Sequence, residues 1–116
     1  MPARNEAVTV ADVVAACLQC RFATDVIVVD DGSDDETAAV AAAAGARVVR
    51  RGADSGPGSK AHAMEAGVAV SGADAFLFVD ADCIGLRPSH LDAICRPFLE
   101  GRAAMSVGWF DYGLWN

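Results

Sequence analysis

The hydrophobic positions along the chain follow a helical period in some segments and form short continuous runs in others. In residues 7–20 the apolar side chains fall on one face of a helix, whereas residues 26–29 (VIVV) form an unbroken β-branched run. A run of this kind before a turn sequence is typical of a strand that is buried on both faces. The opening of the chain therefore predicts a helix followed by a buried strand.

The same alternation continues to the end of the chain. It predicts helices over 35–44, 59–71 and from Pro88 or Ser89 to about Leu99, strands over 46–50, 75–79 and 103–107, a loop over 51–58, and an aromatic tail over 109–116. We expect Gly45 to end the first of these helices and Ser59 to cap the start of the second.

Strands separated by helices predict parallel βαβ units. The predicted fold class is therefore α/β, a Rossmann-like, mostly parallel sheet flanked by helices, in a single domain over residues 1–116. In such sheets ligands bind beyond the carboxyl ends of the strands. Because the runs at 26–29 and 75–79 both lead into acidic residues, we expect the functional site at that edge.

Composition narrows the classes of partner. The chain has 116 residues, of which 53% are hydrophobic, and a formal net charge of −7, which argues against nucleic acid or an anionic membrane as the main partner. An acidic site can still bind a nucleotide through a divalent metal. No apolar run approaches the roughly 18 residues of a membrane span, and the residues from Met1 to Glu6 lead us to expect no secretory signal. We therefore expect a cytoplasmic protein whose four cysteines are reduced.

The acidic triplet Asp80-Ala81-Asp82 follows the apolar run at 75–79. Two carboxylates one residue apart at the end of a buried strand can hold a hard divalent cation, leaving positions for phosphate oxygens and water. A polar turn that ends the strand is the alternative explanation of the same residues.

A second acidic segment, DDGSDDET, runs from Asp30 to Thr37. The acids at 34–36 suit the first turn of the following helix, where negative charge favours the helix dipole. That explanation leaves out Asp30 and Asp31, which repel each other at the end of an apolar strand. Either carboxylate could accept a hydrogen bond from a nucleobase or a ribose.

The third candidate is the segment GPGSK at residues 56–60, which leads into a predicted helix. Its glycines let a ligand approach the backbone closely, and Lys60, the only lysine of the chain, supplies a cation for phosphate. The spacing is not that of a Walker loop, and a purely structural loop is the alternative.

Four other residues have a weaker claim to chemistry. Cys17 and Cys20 lie within a helical pattern, and no second cysteine pair or close histidine pair completes a tetrahedral metal site, so we expect them to be buried as small hydrophobic residues. His62 and His90 lie on predicted helices and are expected to be surface or packing residues.

Taken in order, the segments PARNEA, VIVVDDGSDDET, GPGSKAHAM and FLFVDAD resemble the donor-binding half of family 2 glycosyltransferases with the GT-A fold. The similarity extends from Pro2 to at least Asp82. It implies a nucleotide-diphospho-sugar donor, a Mg²⁺ or Mn²⁺ cofactor, and transfer of the sugar to an acceptor whose identity is unknown.

The resemblance implies that one group of residues binds the nucleoside. Pro2, Ala3 and Glu6 would border it, and Asp31, with Asp30 beside it, would contact the base.

A second group is implied to bind the diphosphate and the metal. Lys60 would lie near the diphosphate, Asp80 near the ribose or the metal, and Asp82 would be the principal metal ligand.

The sequence departs from the family pattern in two places. In the family an apolar strand precedes the PARNEA-like segment and lies centrally in the sheet, whereas only Met1 stands there in this sequence. The family's domain also continues into acceptor-binding elements that include the general base of inverting members, so the catalytic residue is unknown. We therefore expect a partial GT-A fold, a fragment or a shortened product that is marginally stable or associates into a homo-oligomer.

Three alternatives stay open from the sequence. A phosphoacceptor receiver domain also places acids after two strands around Mg²⁺, but it needs a later lysine and about two more βα units. A dinucleotide-binding Rossmann domain lacks its G-x-G-x-x-G motif in this sequence. The third alternative is a non-catalytic remnant that packs or oligomerises without chemistry.

Overall fold

The computed structural model describes residues 1–52 and 58–108 of the chain. Their elements, in chain order, are β1 (Pro2–Ala3), α1 (Val10–Leu18), β2 (Ile27–Asp30), α2 (Thr37–Ala43), β3 (Arg47–Arg50), α3 (Lys60–Val70) and α4 (Pro88–Leu99). The alternation of strands and helices confirms the predicted α/β class.

The three strands form one parallel sheet in the order β1-β2-β3. Pro2 pairs with Val29 in β2, and Val28 pairs with Val48 in β3. The predicted strands at 26–29 and 46–50 are confirmed within about one residue. The sequence pattern did not predict β1, because two residues are too few to show a strand period.

The core lies between β2 and the helices α1 and α2. Fully or nearly fully buried apolar side chains line it: Val10, Val13, Val14, Val28, Ala41 and, from α4, Leu91. Apart from Leu91, these side chains are β-branched or small, so the helices approach the sheet closely.

The predicted buried strand at 75–79 is wrong in the structure, which assigns no strand there. Phe76, Leu77 and Phe78 are 37–48% exposed. A strand is defined by its ladder, and β1, the edge strand nearest to this segment, contributes only two residues. The apolar run thus lacks a neighbouring strand that would pair with its backbone and include it in the sheet, whose faces the helices cover.

The predicted strand at 103–107 is wrong as well. No strand is assigned there, and Met105 and Val107 are 77% and 78% exposed. Residues 53–57 of the predicted loop at 51–58, and the predicted aromatic tail at 109–116, lie outside the described residues.

The predicted helix ends are confirmed where a specific residue determines them. Gly45 follows α2 with φ +104°, a conformation that glycine adopts without strain, and its N–H donates to Ala42 O at 3.0 Å. Ser59 Oγ accepts a hydrogen bond from His62 N at 3.2 Å at the start of α3. Pro88 is the first residue of α4, where its missing N–H has no intrahelical partner to lose.

Helix α4 contains a second proline, Pro97, near its carboxyl end. Among the helices of residues 1–52 and 58–108, none is long and apolar enough to cross a membrane.

Candidate functional site at the carboxyl edge of the sheet

The carboxyl ends of all three strands meet at one edge of the sheet. The N–H of Asp31 donates to Ala3 O at 2.9 Å, and the N–H of Arg51 donates to Asp30 O at 2.9 Å. The residues that follow each strand are therefore held next to one another by backbone hydrogen bonds, as parallel pairing requires. This is the edge at which the sequence placed the functional site.

Asp31 forms the centre of a first polar group at this edge. Its carboxylate pairs with the Arg51 guanidinium, and the side chains of the two residues are only 12% and 10% exposed. Gly58 packs directly on the carboxylate, since a Cβ added at Gly58 would lie 2.6 Å from Asp31 Oδ2. An aspartate held by an arginine beneath a glycine is a fixed hydrogen-bond acceptor.

Asp30 has a different role from its neighbour. Its side chain is buried, and its Oδ1 accepts a hydrogen bond from Ser33 N at 3.0 Å. Gly32, with φ +77°, provides the turn between them. Asp30 thus shapes the turn after β2.

The loop after β1 is fastened to the loop after β2 by side-chain contacts. Asn5 N donates to Ser33 Oγ at 2.9 Å, and Asp34 N donates to Asn5 Oδ1 at 2.9 Å. Asn5 has φ +56°, so its backbone bends to face the acidic loop. The PARNE and DDGSD segments are one connected unit.

The acids at 34–36 do not fill the first turn of α2, so that prediction is wrong. The helix starts later, at Thr37, and Glu36 at its N-cap makes no side-chain cap bond. Asp35 instead accepts hydrogen bonds from Thr37 N at 3.0 Å and from Ala7 N at 3.2 Å. A hydrogen bond from the Thr37 hydroxyl also lowers the pKa of Asp35. The acids were available for these tertiary contacts because the loop after β1 lies beside them.

Glu6 belongs to the same unit. Its N–H donates to Thr37 Oγ1 at 2.8 Å, and its carboxylate accepts a hydrogen bond from Thr9 Oγ1 at 3.2 Å. Pro2 is half-buried and Ala3 is buried in β1. Of the three residues predicted to border a nucleoside, Glu6 thus has a side chain that is hydrogen-bonded to Thr9, the residue that precedes α1.

A second polar group lies at the start of α3. Lys60 Nζ is 2.5 Å from Asp80 Oδ1, and the two side chains are 62% and 50% exposed. The hydrogen bond that the Lys60 ammonium donates to Asp80 raises the pKa of Lys60, and the charge of Asp82 acts in the same direction. The structure therefore brings together the lysine and the acidic triplet that the sequence singled out.

The two polar groups are joined by a short stretch of chain. Gly58 contacts Asp31 of the first group, and Lys60, two residues further on, pairs with Asp80 of the second. Ser59 between them caps α3. The position of Lys60 is thus fixed by a capped helix.

The described residues contain no group of three or more histidine, cysteine or acidic side chains arranged to hold a metal ion. Asp80 and Asp82 supply two exposed carboxylates one residue apart. Hard oxygen ligands of this kind suit Mg²⁺ or Mn²⁺, provided that phosphate oxygens and water complete the shell.

The cysteines are free thiols, as predicted. Cys17 and Cys20 are buried, and burial raises the pKa of Cys17 to about 11. A protonated buried thiol is a poor nucleophile. His62 and His90 are exposed on α3 and α4, so the expectation of surface histidines is confirmed as well.

Two residues of this region were missed by sequence reasoning. Arg51 was assigned to a loop, although its place directly after a strand could have indicated a partner for the acids at the same edge. Thr37 is fully buried and joins Glu6 to Asp35. A single threonine at the end of a polar run gives no signal by which that role could be found.

A parallel sheet with acidic and basic side chains gathered at its carboxyl edge has the arrangement in which α/β proteins commonly bind their ligands. The chain matches the family model described as glycosyl transferase family 2 over residues 1–116, and it belongs to that family. The resemblance in sequence is thereby confirmed, and the phosphoacceptor receiver and the dinucleotide-binding domain no longer apply.

Solved structures share the fold of the described residues. A crystal structure of a mycobacterial protein is 34% identical with a TM-score of 0.77, over 86% of this chain and 35% of that one. Glucosyl-3-phosphoglycerate synthase from Mycobacterium tuberculosis is 31% identical with a TM-score of 0.76, over 85% and 39% of the two chains. The same synthase in complex with Mn²⁺, UDP-glucose and phosphoglyceric acid is 32% identical with a TM-score of 0.76, over 86% and 38%.

These matches show that the three parallel strands and their helices correspond to the N-terminal part of a GT-A Rossmann-like fold. The chain spans 35–39% of the length of these solved structures. No curated protein matches the chain.

Proposed function

We propose that these residues form the donor-binding part of a glycosyltransferase. They bind a nucleotide-diphospho-sugar together with a divalent metal ion, and they serve the transfer of the sugar to an acceptor. The observation that carries the proposal is the contact between Lys60 and Asp80, at 2.5 Å, with Asp82 two residues further on. The two carboxylates can bind a metal ion, and the lysine cation can bind the diphosphate that the metal carries.

Asp80 and Asp82 are the proposed metal ligands, with Asp82 as the principal one. Their carboxylates are exposed and offer hard oxygens, and diphosphate oxygens and water would supply the remaining positions. When bound, the metal neutralises charge on the diphosphate and acts as a Lewis acid. The related synthase structures that contain Mn²⁺ or Mg²⁺ with a uridine nucleotide support this choice of cofactor.

Lys60 is proposed to bind the diphosphate. An ion pair between half-exposed side chains contributes little to stability, about 0–1 kcal/mol, so it can exchange partners readily. A metal ion held by Asp80 would take the place of Lys60 on this carboxylate and would leave the lysine ammonium free to bind phosphate oxygens nearby. The lysine then neutralises phosphate oxygens.

Asp31 is proposed to read the nucleobase. Arg51 and Gly58 hold its carboxylate in one orientation, and the side chain keeps 12% of its surface exposed, through which a base could reach the acceptor. A fixed acceptor can select a base that carries a ring N–H donor, such as uracil or guanine. Pro2, Ala3 and Glu6 lie on the loop that is fastened to the same edge and would border the nucleoside, while Asp30 supports the turn.

The reaction is proposed to occur in the cytoplasm, since free thiols suit a reducing compartment.

Isothermal titration with UDP and UDP-glucose, with and without Mn²⁺, tests this function. We expect Mn²⁺-dependent binding by the wild-type chain and a loss of at least about tenfold in affinity for Asp82→Asn, because a principal ligand contributes more than about 1.4 kcal/mol. Asp74→Asn, which removes the same charge at an exposed aspartate away from the acidic triplet, is the matched control and should bind as the wild type does.

Two results would contradict the proposal. One is equal affinity of the Asp82→Asn variant and the wild type, which would remove Asp82 from the site. The other is binding that does not respond to Mn²⁺. Circular dichroism of each variant verifies that its fold is intact.

A further inference from the structure

Two cysteines lie together where α4 packs against the end of α1. Cys20 is 5% exposed and belongs to the buried core, and Cys95 of α4 is half-buried and packs against that core. A hydrogen bond joins the two side chains. Both are free thiols, and neither has a part in the proposed nucleotide site.

The backbone around Cys20 is fixed on both sides. Its N–H donates to Cys17 O at 3.1 Å, and its carbonyl accepts a hydrogen bond from Ala23 N at 3.3 Å. The next residue, Arg21, donates its N–H to Asp92 Oδ1 of α4 at 2.8 Å. This contact holds the end of α1 against α4, about one helical turn before Cys95.

The period of α4 places Cys95 on the side of the helix that faces Cys20. Cys95 follows Asp92 by three residues and follows Leu91, which is 1% exposed, by four. Residues three and four apart share a helix face. The pKa of Asp92 is lowered by the hydrogen bond from Arg21 N, and a hydrogen bond from the Cys20 thiol adds to this effect. Cys20 is therefore in contact with two consecutive turns of α4.

We propose that Cys20 and Cys95 are a redox-sensitive pair, which a low-molecular-weight disulfide converts into an intramolecular disulfide bond that fastens α4 to the end of α1.

The reaction is two successive thiol–disulfide exchanges. The Cys95 thiol, which is the more exposed, loses its proton and attacks one sulfur of the reagent, so that the reagent's S–S bond breaks and its first thiol leaves with a proton. The Cys20 thiol then loses its proton and attacks Cys95 Sγ of the mixed disulfide, which releases the second reagent thiol. Two protein thiols are oxidised and one reagent disulfide is reduced to two thiols.

The surroundings of the pair keep it reduced during brief exposure to an oxidant. Burial raises the pKa of Cys95, and the neighbouring Cys20 adds to this effect. Because the thiolate is the attacking species, a raised pKa makes the exchange slow. The pair should therefore respond to sustained oxidation.

The bond would close the chain from residue 20 to residue 95, a segment that includes β2, β3 and α3. Closing a long loop reduces the conformational entropy of the unfolded chain and so stabilises the folded one. The oxidised chain should also keep α4 on the core, because the helix could no longer separate from the end of α1.

Equilibration of the chain with mixtures of reduced and oxidised glutathione tests the pair. After acid quenching and alkylation, peptide mass spectrometry should find Cys20 linked to Cys95 in a monomeric chain. The melting temperature of the oxidised chain should rise by about 5 °C or more. Reduction with dithiothreitol should reverse both changes.

Two serine variants separate this pair from the other thiols. Cys95→Ser removes one partner and should give neither the linked peptide nor the rise in melting temperature. Cys83→Ser is the matched control, because Cys83 is also half-buried against the core, and it should form the link as the wild type does. Circular dichroism of the reduced variants verifies that they are folded.

Three results would overturn the proposal. A linked peptide with Cys17 or Cys83 as the main product would assign the reaction to another pair. Glutathione adducts or disulfide-linked dimers without the Cys20–Cys95 peptide would show that the two sulfurs cannot bond within one chain. A Cys20–Cys95 bond with an unchanged melting temperature would show that it does not fasten α4. None of these measurements involves nucleotide binding, so their outcome is independent of the proposed function.

Discussion

Residues 1–50 and residues 58–108 differ sharply in how they bury their apolar side chains. Thirteen of the sixteen buried apolar residues of the described chain lie in the first region, and three, Ala63, Ala81 and Leu91, lie in the second. Ten of the thirteen exposed large hydrophobic residues lie in the second region. The two regions have similar apolar sequences, but the first buries most of its apolar side chains and the second leaves most of its large ones exposed.

The difference follows from strand pairing. The run VIVV lies between two strands and is covered by helices, and Val28 and Val29 are at most 1% exposed. The run AFLFV is equally apolar, but it lies beyond a two-residue edge strand. An apolar run therefore becomes a buried strand only if the neighbouring strand is long enough to pair with it.

The largest expected effect comes from the residue that anchors the second region. Leu91 of α4 is 1% exposed, and Leu99 of the same helix is 51% exposed. We expect Leu91→Ala to lower the free energy of unfolding by about 2–5 kcal/mol, because it leaves a cavity in the core. Urea denaturation measures the change.

The matched control is Leu99→Ala, which makes the same substitution at an exposed site of the same helix. It should change the free energy of unfolding by less than about 0.5 kcal/mol. Equal losses of unfolding free energy in the two variants would mean that Leu91 does not hold α4 against the core. The second region would then lack the anchor assigned to it here.

A smaller effect is expected inside the first region. Thr37→Val keeps the volume of the side chain but leaves Glu6 N without its acceptor. A buried unpaired donor costs about 1–3 kcal/mol of unfolding free energy, and since this contact is partly buried we expect the lower part of that range. Thr24→Val, at an exposed position, should be nearly neutral. A thermal melt of Thr37→Val that coincides with the wild type would show that the two loops are held together without this hydroxyl.

The smallest effect concerns the Met1 ammonium, where the two regions meet. Burial lowers its pKa from 8.0 in the folded chain, so the unfolded chain binds more protons between the lowered pKa and about pH 8. The free energy of unfolding should therefore rise as the pH increases through this window, by about 1.4 kcal/mol for each unit by which the pKa is lowered.

Urea denaturation between pH 6.5 and 8.5 measures this rise, on chain shown by mass spectrometry to retain Met1. The N-acetylated chain, which has no amine to titrate, should lack it. A rise of the same size in the acetylated chain would assign the effect to another group. The range stops at pH 8.5 because the raised pKa of Cys17 makes stability fall above about pH 9.

The sequence was sufficient to predict those elements whose determinants are local. Gly45 and Ser59 define helix ends by backbone conformation and by one hydrogen bond, and both positions are confirmed. The strand at 75–79 was predicted wrongly because its formation depends on a neighbouring strand, which is not a property of the run itself. The two residues of β1 were missed for the converse reason, since only pairing with β2 makes them a strand.

The candidate site shows the same difference between residues whose roles follow from local sequence and residues whose roles follow from tertiary contacts. The sequence singled out Lys60 and Asp80 from their places beside a glycine-rich loop and an apolar run, and the structure brings them into contact. It did not indicate Arg51 as the partner of Asp31, because the pairing joins the ends of two different strands. Which acid pairs with a buried arginine and which with an exposed lysine depends on tertiary contacts.

The glycine at position 58 restricts how this loop can change over evolutionary time. Even alanine there would press its methyl group into the Asp31 carboxylate and force that acid, together with its arginine, to move. A variant with a bulkier residue at this point would need a compensating change at position 31 or 51 in order to keep the same acceptor in place. Substitutions are therefore expected to be accepted less readily at Gly58 than at the neighbouring positions of the sequence.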